Sequence, residues 1–478
     1  MQYDLFRQSL PPLLRSALAE ITRHWPDVWL VGGAVRDLLL ARENADVDLA
    51  VSGGANAFAQ DLRQQLGEGT LVRLGDTEED AIRLVWRGFD VDIAALRGGA
   101  QTIEEDLRRR DYTINAMALP LAPLLHGVPA AIIDPLGGEA DLQKRLLRAC
   151  PDAFAADPLR MLRGYRFAGQ LAMTINAAAR AEIRAQAAGI ETVAAERICH
   201  ELDLLLDCPR GGALLPAMWD DGLLPRLLPE LAAGESVGQP GFHHLDVLRH
   251  NLQALLELEN VLAGQPPLLA DAVAILAAEP HRLRLVKYAA LLHDVGKPPA
   301  AGMKNGRATF YGHEEMGGES VLQIAARLRW SGQDARRVAA LVALHMRPFH
   351  LCNARRDGKL TDKALWRLCR DAGPILPELF LLAMSDSLAS QGSLKPPRME
   401  QEVAELYHLA AKIYEERFRP VLAAPRLVTG KDLLDHFGLS PGPRFAELLR
   451  AVEDAQLEGR VETREQALTF VAEMVENG

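Results

Sequence analysis

Leu30-Val31-Gly32-Gly33-Ala34-Val35-Arg36-Asp37, followed closely by Asp46-Val47-Asp48, decides how this 478-residue chain is read. The apolar run from Val28 to Val31 predicts a strand. It stops at two glycines, and a helix then opens with an arginine in its first turn. Glycines let backbone N–H groups approach an anion closely, and a helix N-terminus favours negative charge. The next predicted strand carries Asp46 and Asp48. Alternate strand residues share a face, so both carboxylates aim at one point. Two carboxylates beside a phosphate cradle suit Mg²⁺, which takes one or two carboxylates plus phosphate oxygens. A lone Asp-x-Asp is usually a solvated strand end. The Gly32-Gly33-x-x-Arg36-Asp37 turn in front of this one favours a nucleotidyl-transfer site.

Working outward, residues 1 to about 25 read as an amphipathic helix interrupted at Pro11-Pro12. Short apolar strands (Val47–Val51, Leu71–Leu74, Ile82–Trp86, Val91–Ala95, Ile132–Ile133) alternate with helical stretches up to about Ala149, which predicts a mixed α/β domain. After Pro151 the pattern is almost wholly helical. Gly and Pro clusters at 209–212 and 232–241 mark a boundary, and 392–397 reads as a further linker. The fold class expected is α+β: a mixed α/β head over 1–150, a helical neck over 151–235, a histidine-rich helical domain over 236–395 and a helical tail over 396–478.

Apolar residues make up 49% of the chain, enough for several cores. No stretch approaches the ~18 apolar residues of a membrane span. Residues 1–20 lack a signal-peptide apolar region, and the five cysteines (Cys150, Cys199, Cys208, Cys352, Cys369) form no CxxC. Both features fit a reducing cytoplasm and no membrane association. A net charge of −11 excludes a chain coated in positive charge, yet a local basic stripe can still bind phosphates. Lys144, Arg145, Arg148, Arg160, Arg163 and Arg166 form the candidate stripe.

Arg108-Arg109-Arg110-Asp111-Tyr112-Thr113-Ile114-Asn115 reads either as a solvated helix end or as a triphosphate and ribose contact. The polar Thr113 and Asn115 inside an apolar run favour the second. Asp134-Pro135-Leu136-Gly137-Gly138 reads as a turn and helix cap. In Asp157-Pro158-Leu159-Arg160-Met161-Leu162-Arg163-Gly164-Tyr165-Arg166, Asp157 and Arg160 are three apart and are expected on one helix face. The plain reading is a surface ion pair. The functional reading is base selection. Cytosine and adenine each present an amino donor beside a ring-nitrogen acceptor, which a carboxylate and a guanidinium would match. Uracil and guanine reverse that order and would leave charged groups unpaired.

Further along, His293-Asp294 stands at a predicted helix end, with His250 upstream and His313, His345 and Asp386 downstream. Single histidines are usually surface or core residues; this series on successive helices reads as a metal site. Imidazole plus carboxylate donors suit Mn²⁺, Fe²⁺, Ni²⁺, Zn²⁺ or Mg²⁺.

Together these segments, with Ala195-Glu196-Arg197-Ile198 and Glu201-Leu202, resemble the bacterial class II tRNA nucleotidyltransferases, the CCA-adding family that includes bacterial poly(A) polymerases. The resemblance runs from about Val28 to Cys208. It implies a polymerase-β-like head, Asp46 and Asp48 as catalytic Mg²⁺ ligands, and Gly32, Gly33 and Arg36 on the triphosphate. It places Arg110, Asp111 and Asn115 near the nucleotide, and makes Asp157, Arg160, Arg163 and Arg166 the protein template. The implied reaction is attack of a tRNA 3′-hydroxyl on the α-phosphorus of CTP or ATP without a nucleic-acid template. Binding would be to the acceptor–TΨC arm.

Residues 242 to 389 resemble the HD phosphohydrolase domain. That implies His250, His293, Asp294 and Asp386 as core ligands, His313 and His345 for a second metal, and hydrolysis of phosphomonoesters or 2′,3′-cyclic phosphates. The alternative is a degenerate RNA-binding scaffold. The tail around Thr429–Asp432 and Gly438–Pro443 resembles the C-terminal unit of the same enzymes, a candidate tRNA contact.

Two departures stand out. Ala156 occupies a position where the family usually has Glu. The connector Gly98 to Thr102 is shorter than the flexible loop of complete CCA-adding members and resembles forms that stop after cytidine, which implies a separate A-adding enzyme in series. Rival readings are a poly(A) polymerase, a protein-modifying uridylyltransferase, and an RNA-binding phosphohydrolase with an inactive head.

Overall fold

The computed structural model describes residues 2–42, 47–74, 80–239 and 241–476. Asp46, one of the two expected catalytic carboxylates, lies outside the described residues. The chain forms two compact units, Met1–Pro229 with Arg327–Arg329, and Glu230–Ala326 with Trp330–Gly478.

The first unit is built on a six-stranded sheet: β1 Val28–Val31, β2 Val47–Val51, β3 Thr70–Arg73, β4 Ala81–Trp86, β5 Phe89–Ala95 and β6 Ala118–Pro120. Their order is β3-β4-β5-β2-β1-β6. β2 and β5 run parallel and the other neighbours antiparallel. The parallel register sets Asp48 directly opposite Asp92. The helix Ala55–Leu66 covers the sheet, burying Phe58, Ala59 and Leu62. That three-to-four spacing is the apolar stripe of an amphipathic helix. It ends at Gly67, whose left-handed conformation caps it.

The Pro11-Pro12 interruption separates two helices, Gln2–Ser9 and Pro12–Ile21. The sequence reading missed β6. Ala118 and Leu119 are fully buried because they pair with β1, whereas the strand expected at Ile132–Ile133 is reduced to a single bridge between Ile133 and Ala118. A three-residue strand is too short to show a period in sequence.

Beyond the sheet, the helices Leu159–Leu171 and Ala195–Asp207 pack on each other. Tyr112 fixes the first of them against the head. Its hydroxyl donates to the Arg160 carbonyl at 2.9 Å. Its ring crosses Gly164 so closely that a Cβ there would stand 2.0 Å from the hydroxyl oxygen. Thus Gly164 is required by close approach. The helical region also holds a two-residue parallel pair, Leu146–Leu147 with Thr174–Ile175.

The second unit is helical, with Leu376–Ala389 at its centre. Leu379 through Ser387 are all buried, the continuous burial of a core helix. Val247–Leu262, Pro280–Leu292 and Gly332–Leu344 pack around it. A hairpin, Gly302–Lys304 with Arg307–Thr309, interrupts the expected all-helical block. Asn305 and Gly306 both take positive φ at its turn. Asn-Gly is the signature of that turn, so the hairpin was legible in the sequence. The last helices, Gly430–Phe437, Pro443–Leu457 and Arg464–Glu476, enclose a small core around Leu433, Leu448, Val452 and Val471.

Candidate active site and metal centre

In the first unit a cavity of about 600 Å³ opens where β1, β2 and β5 meet the helix Leu159–Leu171. A nucleotide-sized ligand fits that volume. Gly32 caps the helix Gly33–Leu39 with φ of +68°, and a Cβ there would stand 2.8 Å from the Arg110 guanidinium. Glycine is therefore required both by conformation and by space. Beside it, Asp48 Oδ2 lies 3.8 Å from where a Cβ on Gly33 would be.

Six arginines and four aspartates line the cavity, and a chain of polar contacts orders them. Arg36 donates to both carboxylate oxygens of Asp37 (2.8 and 2.9 Å) and to Asn115 Oδ1 (2.8 Å). Asn115 Nδ2 donates to Asp111 Oδ1 at 3.2 Å. Asp111 pairs with Arg163 at 3.0 Å, and Arg166 pairs with Glu201 at 2.6 Å. Burial opposes ionisation of Asp111, but Arg163 and the Asn115 hydrogen bond outweigh it and hold the carboxyl below its usual range. Arg166, Arg163 and Arg36 also gather around the Phe167 ring, at 4.2, 5.5 and 5.7 Å from its centre. Polarised aromatic faces stabilise such cations. Arg110 is fastened differently, by two hydrogen bonds to Asp106 (3.0 and 3.1 Å). Burial pushes its guanidinium down to about 10, still protonated at neutral pH.

The structure corrects one sequence expectation. Asp157 and Arg160 do not share a helix. Asp157 is extended, in a break between the helices Ala153–Ala156 and Leu159–Leu171. Pro158 causes the break, since it disfavours helical geometry in the residue before it. The two side chains do not pair with each other. Asp157 accepts from Arg197 at 2.8 Å and from the Leu159 N–H at 3.2 Å. Arg160 donates to the carbonyls of Arg110 and Ala153. Both still line the cavity. Asp92, directly opposite Asp48 on β5 and so a candidate third carboxylate, lines it too. Its two oxygens accept from Arg83 at 2.7 and 2.9 Å. Asp134 caps a helix start through the Gly138 and Glu139 N–H groups.

Sequence reasoning missed Asp106, Arg97, Glu201 and Phe167 as members of this network. Asp106 stands four residues before Arg110, which follows the end of the helix Ile103–Arg108, a spacing that could have exposed the pair.

In the second unit six side chains converge. His250 Nε2 lies 3.2 Å from His293 Nε2, 3.0 Å from Asp386 Oδ1 and 3.6 Å from Asp294 Oδ2. His293 Nε2 is 3.4 Å from Asp294 Oδ2 and 3.8 Å from Asp386 Oδ1. Donors ~2.1 Å from one cation at angles between right and somewhat wider than tetrahedral would be spaced in this way. A second group joins Asp294 Oδ1 to His313 Nε2 and His345 Nε2 at 3.5 and 3.6 Å, with 3.4 Å between the imidazoles. Asp294 therefore belongs to both groups, one oxygen in each.

The tautomers follow from the outer contacts. His293, His313 and His345 each place Nδ1 on the carbonyl three residues back, at 3.0, 2.8 and 2.7 Å. Each Nδ1 thus carries the proton, and each Nε2 turns a lone pair inward. Lone pairs facing each other repel unless a metal cation or a proton lies between them. Asp294 Oδ1 is buried and accepts no hydrogen bond among the described residues. These observations fit divalent cations. Burial holds His250 and His345 below their usual range, whereas at His293 burial is outweighed by Asp294 and Asp386, which push the imidazole up. Burial opposes ionisation of Asp294 as well, but Lys297 and His293 outweigh it and keep the carboxyl well down. Lys297 donates to Asp294 Oδ2 at 2.6 Å. A cavity of about 460 Å³ opens onto the cluster, walled by Phe242, Phe310, Tyr311 and Phe349. Sequence reading did not single out His243, whose donor atom stands with those of His250 and Asp386.

Among the described residues no single helix is long and apolar enough to cross a membrane. The Poly A polymerase head domain family model matches residues 28–148. A family described as "Probable RNA and SrmB- binding site of polymerase A" matches 172–234, the HD domain matches 268–390, and tRNA nucleotidyltransferase domain 2 matches 420–472. The chain is 35% identical to the A-adding tRNA nucleotidyltransferase of Deinococcus radiodurans over 94% of its own length and 96% of the relative's. It is 34% identical to the CC-adding tRNA nucleotidyltransferase of Thermus thermophilus, over 93% of each. A CCA-adding enzyme solved with CTP shares the fold at a TM-score of 0.63 and 20% identity, over 99% of this chain and 98% of that one. The Thermotoga maritima CCA-adding enzyme solved with tRNA does so at 0.61 and 21%, over the same shares.

Proposed function

The chain belongs to the tRNA nucleotidyltransferase family, and from that premise we propose that it extends tRNA 3′ ends by transfer of a nucleotidyl group from CTP or ATP. One observation carries this reading: Asp48 stands at the Gly32-Gly33 turn, in one cavity with Arg36, Arg110, Asp157 and Arg160. The 3′-hydroxyl oxygen attacks the α-phosphorus, the bond to the β-phosphate oxygen breaks, and pyrophosphate leaves. Asp46 and Asp48 would hold Mg²⁺, which supplies charge neutralisation at the attacking and leaving oxygens. Gly33 N–H and Arg36 hold the triphosphate. Asn115 and Arg110 position the nucleotide, and the Asp157 carboxylate with the Arg160 guanidinium reads the base edge.

Between the two nucleotides the connector favours CTP, so that addition stops at cytidine. The β5-to-helix connector is short and pinned: Arg109 donates to the Arg97 carbonyl at 2.8 Å and to that of Gly98. Thr102 caps the helix Ile103–Arg108 that follows. Five residues span at most about 17 Å, which leaves little slack for a lever that resets the pocket from pyrimidine to purine. The Deinococcus radiodurans relative favours a second reading, addition of the terminal A alone. Supplying tRNAs that lack one, two or three terminal nucleotides, with CTP and ATP singly and together, decides it. Two cytidines and no adenosine are expected. Complete conversion to a CCA end by this chain alone would overturn the connector argument.

The HD cluster supports a second activity, metal-dependent hydrolysis of phosphomonoesters or 2′,3′-cyclic phosphates. His250, His293, Asp294 and Asp386 would hold one cation, and Asp294, His313 and His345 another. A wild-type protein without hydrolase activity in Mg²⁺, Mn²⁺, Co²⁺, Ni²⁺ or Fe²⁺ would leave this block as a scaffold.

A further inference from the structure

We propose that His243 is a ligand of the cation held by His250 and Asp386, so that the HD metal centre extends to the floor of the neighbouring cavity. The inference rests on the metal reading of the HD cluster and adds a residue outside the six already described.

His243 precedes the helix Val247–Leu262 in a segment without regular structure, and tertiary contacts fix it. The Gly392 N–H donates to the Phe242 carbonyl at 2.7 Å and the Leu394 N–H to that of Gly241 at 3.1 Å. These bonds zip residues 241–242 to the chain that follows the Asp386 helix. The His243 ring then lies edge-on to the His250 ring, with centres 4.4 Å apart. One donor atom from each of His243, His250 and Asp386 falls within 4.8 Å of the others.

A second observation concerns the proton. The Ser390 hydroxyl donates to Asp386 Oδ1 at 3.4 Å, and its oxygen lies 3.1 Å from His243 Nδ1. With its proton on the carboxylate, the Ser390 oxygen can accept from Nδ1–H of His243. That leaves Nε2 of His243 as a lone pair. His293, His313 and His345 show the same arrangement, with a backbone carbonyl in place of the hydroxyl. An outer oxygen on one ring nitrogen is how proteins orient a histidine whose other nitrogen binds metal.

A third observation is location. His243 lines the 460 Å³ cavity together with Asp386 and His313. An added imidazole makes the donor set richer in nitrogen, which favours first-row transition cations over Mg²⁺.

The test uses the full chain stripped with a chelator and titrated with Co²⁺, reading stoichiometry and affinity by calorimetry and ligand exchange by visible absorption. Wild type is expected to take up Co²⁺. Loss of an outer-contact residue commonly weakens metal binding about 10–100-fold, so His243→Ala should weaken one site at least that much and shift its absorption bands. His243→Asp, which returns a donor atom, should recover most of the affinity, while His243→Gln serves as a second variant should the alanine form fold poorly by circular dichroism. Wild-type affinity and spectrum in folded His243→Ala or His243→Gln would overturn the assignment. So would weaker binding with unchanged bands, which would place His243 outside the coordination sphere. No Co²⁺ uptake by wild type would instead remove the metal reading of the HD cluster itself.

Discussion

Replacing Asp157 by alanine should change which nucleotide is used more than it changes whether the protein folds. In the structure the carboxylate has two partners. Its Oδ1 accepts from the Leu159 N–H, the start of the helix that carries Arg160, Arg163 and Arg166. Losing one such hydrogen bond costs about 0.5–1.5 kcal/mol. Its Oδ2 accepts from Arg197, whose side chain is 53% exposed. A pair so open to solvent contributes about 0.2–1 kcal/mol. The stability loss is therefore small for a chain of this size. In the proposed complex, by contrast, the carboxylate accepts the amino proton of cytosine or adenine. Removing it takes away one charged hydrogen bond, about 1–3 kcal/mol. At 1.36 kcal/mol per decade this is about 5- to 150-fold in discrimination. The assay is the ratio of kcat/KM for CTP to that for UTP on a tRNA lacking its terminal nucleotides, because a ratio cancels differences in folded fraction. Asp157→Asn should go further. Its amide can present a donor to the uracil O4, so UTP use should rise in absolute terms. Arg160→Ala should also relax selection. An unchanged ratio in Asp157→Ala, Asp157→Asn and Arg160→Ala would refute base reading by this pair.

Asp48→Ala should abolish nucleotide addition with circular dichroism unchanged, since a two-metal site loses orders of magnitude in rate with one ligand; near-normal CTP incorporation would move the active site elsewhere. His293→Ala combined with Asp294→Ala should remove metal-dependent hydrolysis and leave CTP incorporation largely intact, and a parallel loss of both would show that the chemistries are coupled. Asp106→Asn breaks the buried pair with Arg110 (side chains 1% and 9% exposed), so chemical denaturation at pH 7 should show a loss of about 3–5 kcal/mol. Burial opposes ionisation of Asp106, yet Arg110 and Arg97 hold its carboxyl below the usual range. A depressed carboxyl stabilises above its unfolded pKa of about 3.9 and loses that contribution as pH falls through the folded value. The gap between wild type and Asp106→Asn should accordingly be full at neutral pH, begin to narrow near about pH 4 and go on closing toward the lower folded value; a constant gap down to pH 3 would exclude the ion pair as its source.

Which segments contribute to the two candidate sites was largely written in the order of residues. The Gly32-Gly33 turn, Asp48 on the strand behind it and His293-Asp294 all mark backbone features that depend on near neighbours. Glycine at positive φ, alternation along a strand and a histidine bonded to the carbonyl three residues back are local rules, so they survive reading in one dimension. What local rules could not supply is how distant segments meet. Asp157 and Arg160 look like one helix face, yet Pro158 and the packing of Tyr112 on Gly164 send them to the same cavity from separate elements. Asp92 stands opposite Asp48 only because β5 pairs with β2. Ala118 and Leu119 become a strand only because β1 lies beside them. His243 has no motif of its own. It reaches His250 and Asp386 because hydrogen bonds join residues 241–242 to a segment some 150 positions later. Side-chain identity and local spacing determined the kinds of chemistry present. Long-range pairing, which a linear sequence does not encode by spacing, decided which groups share a site.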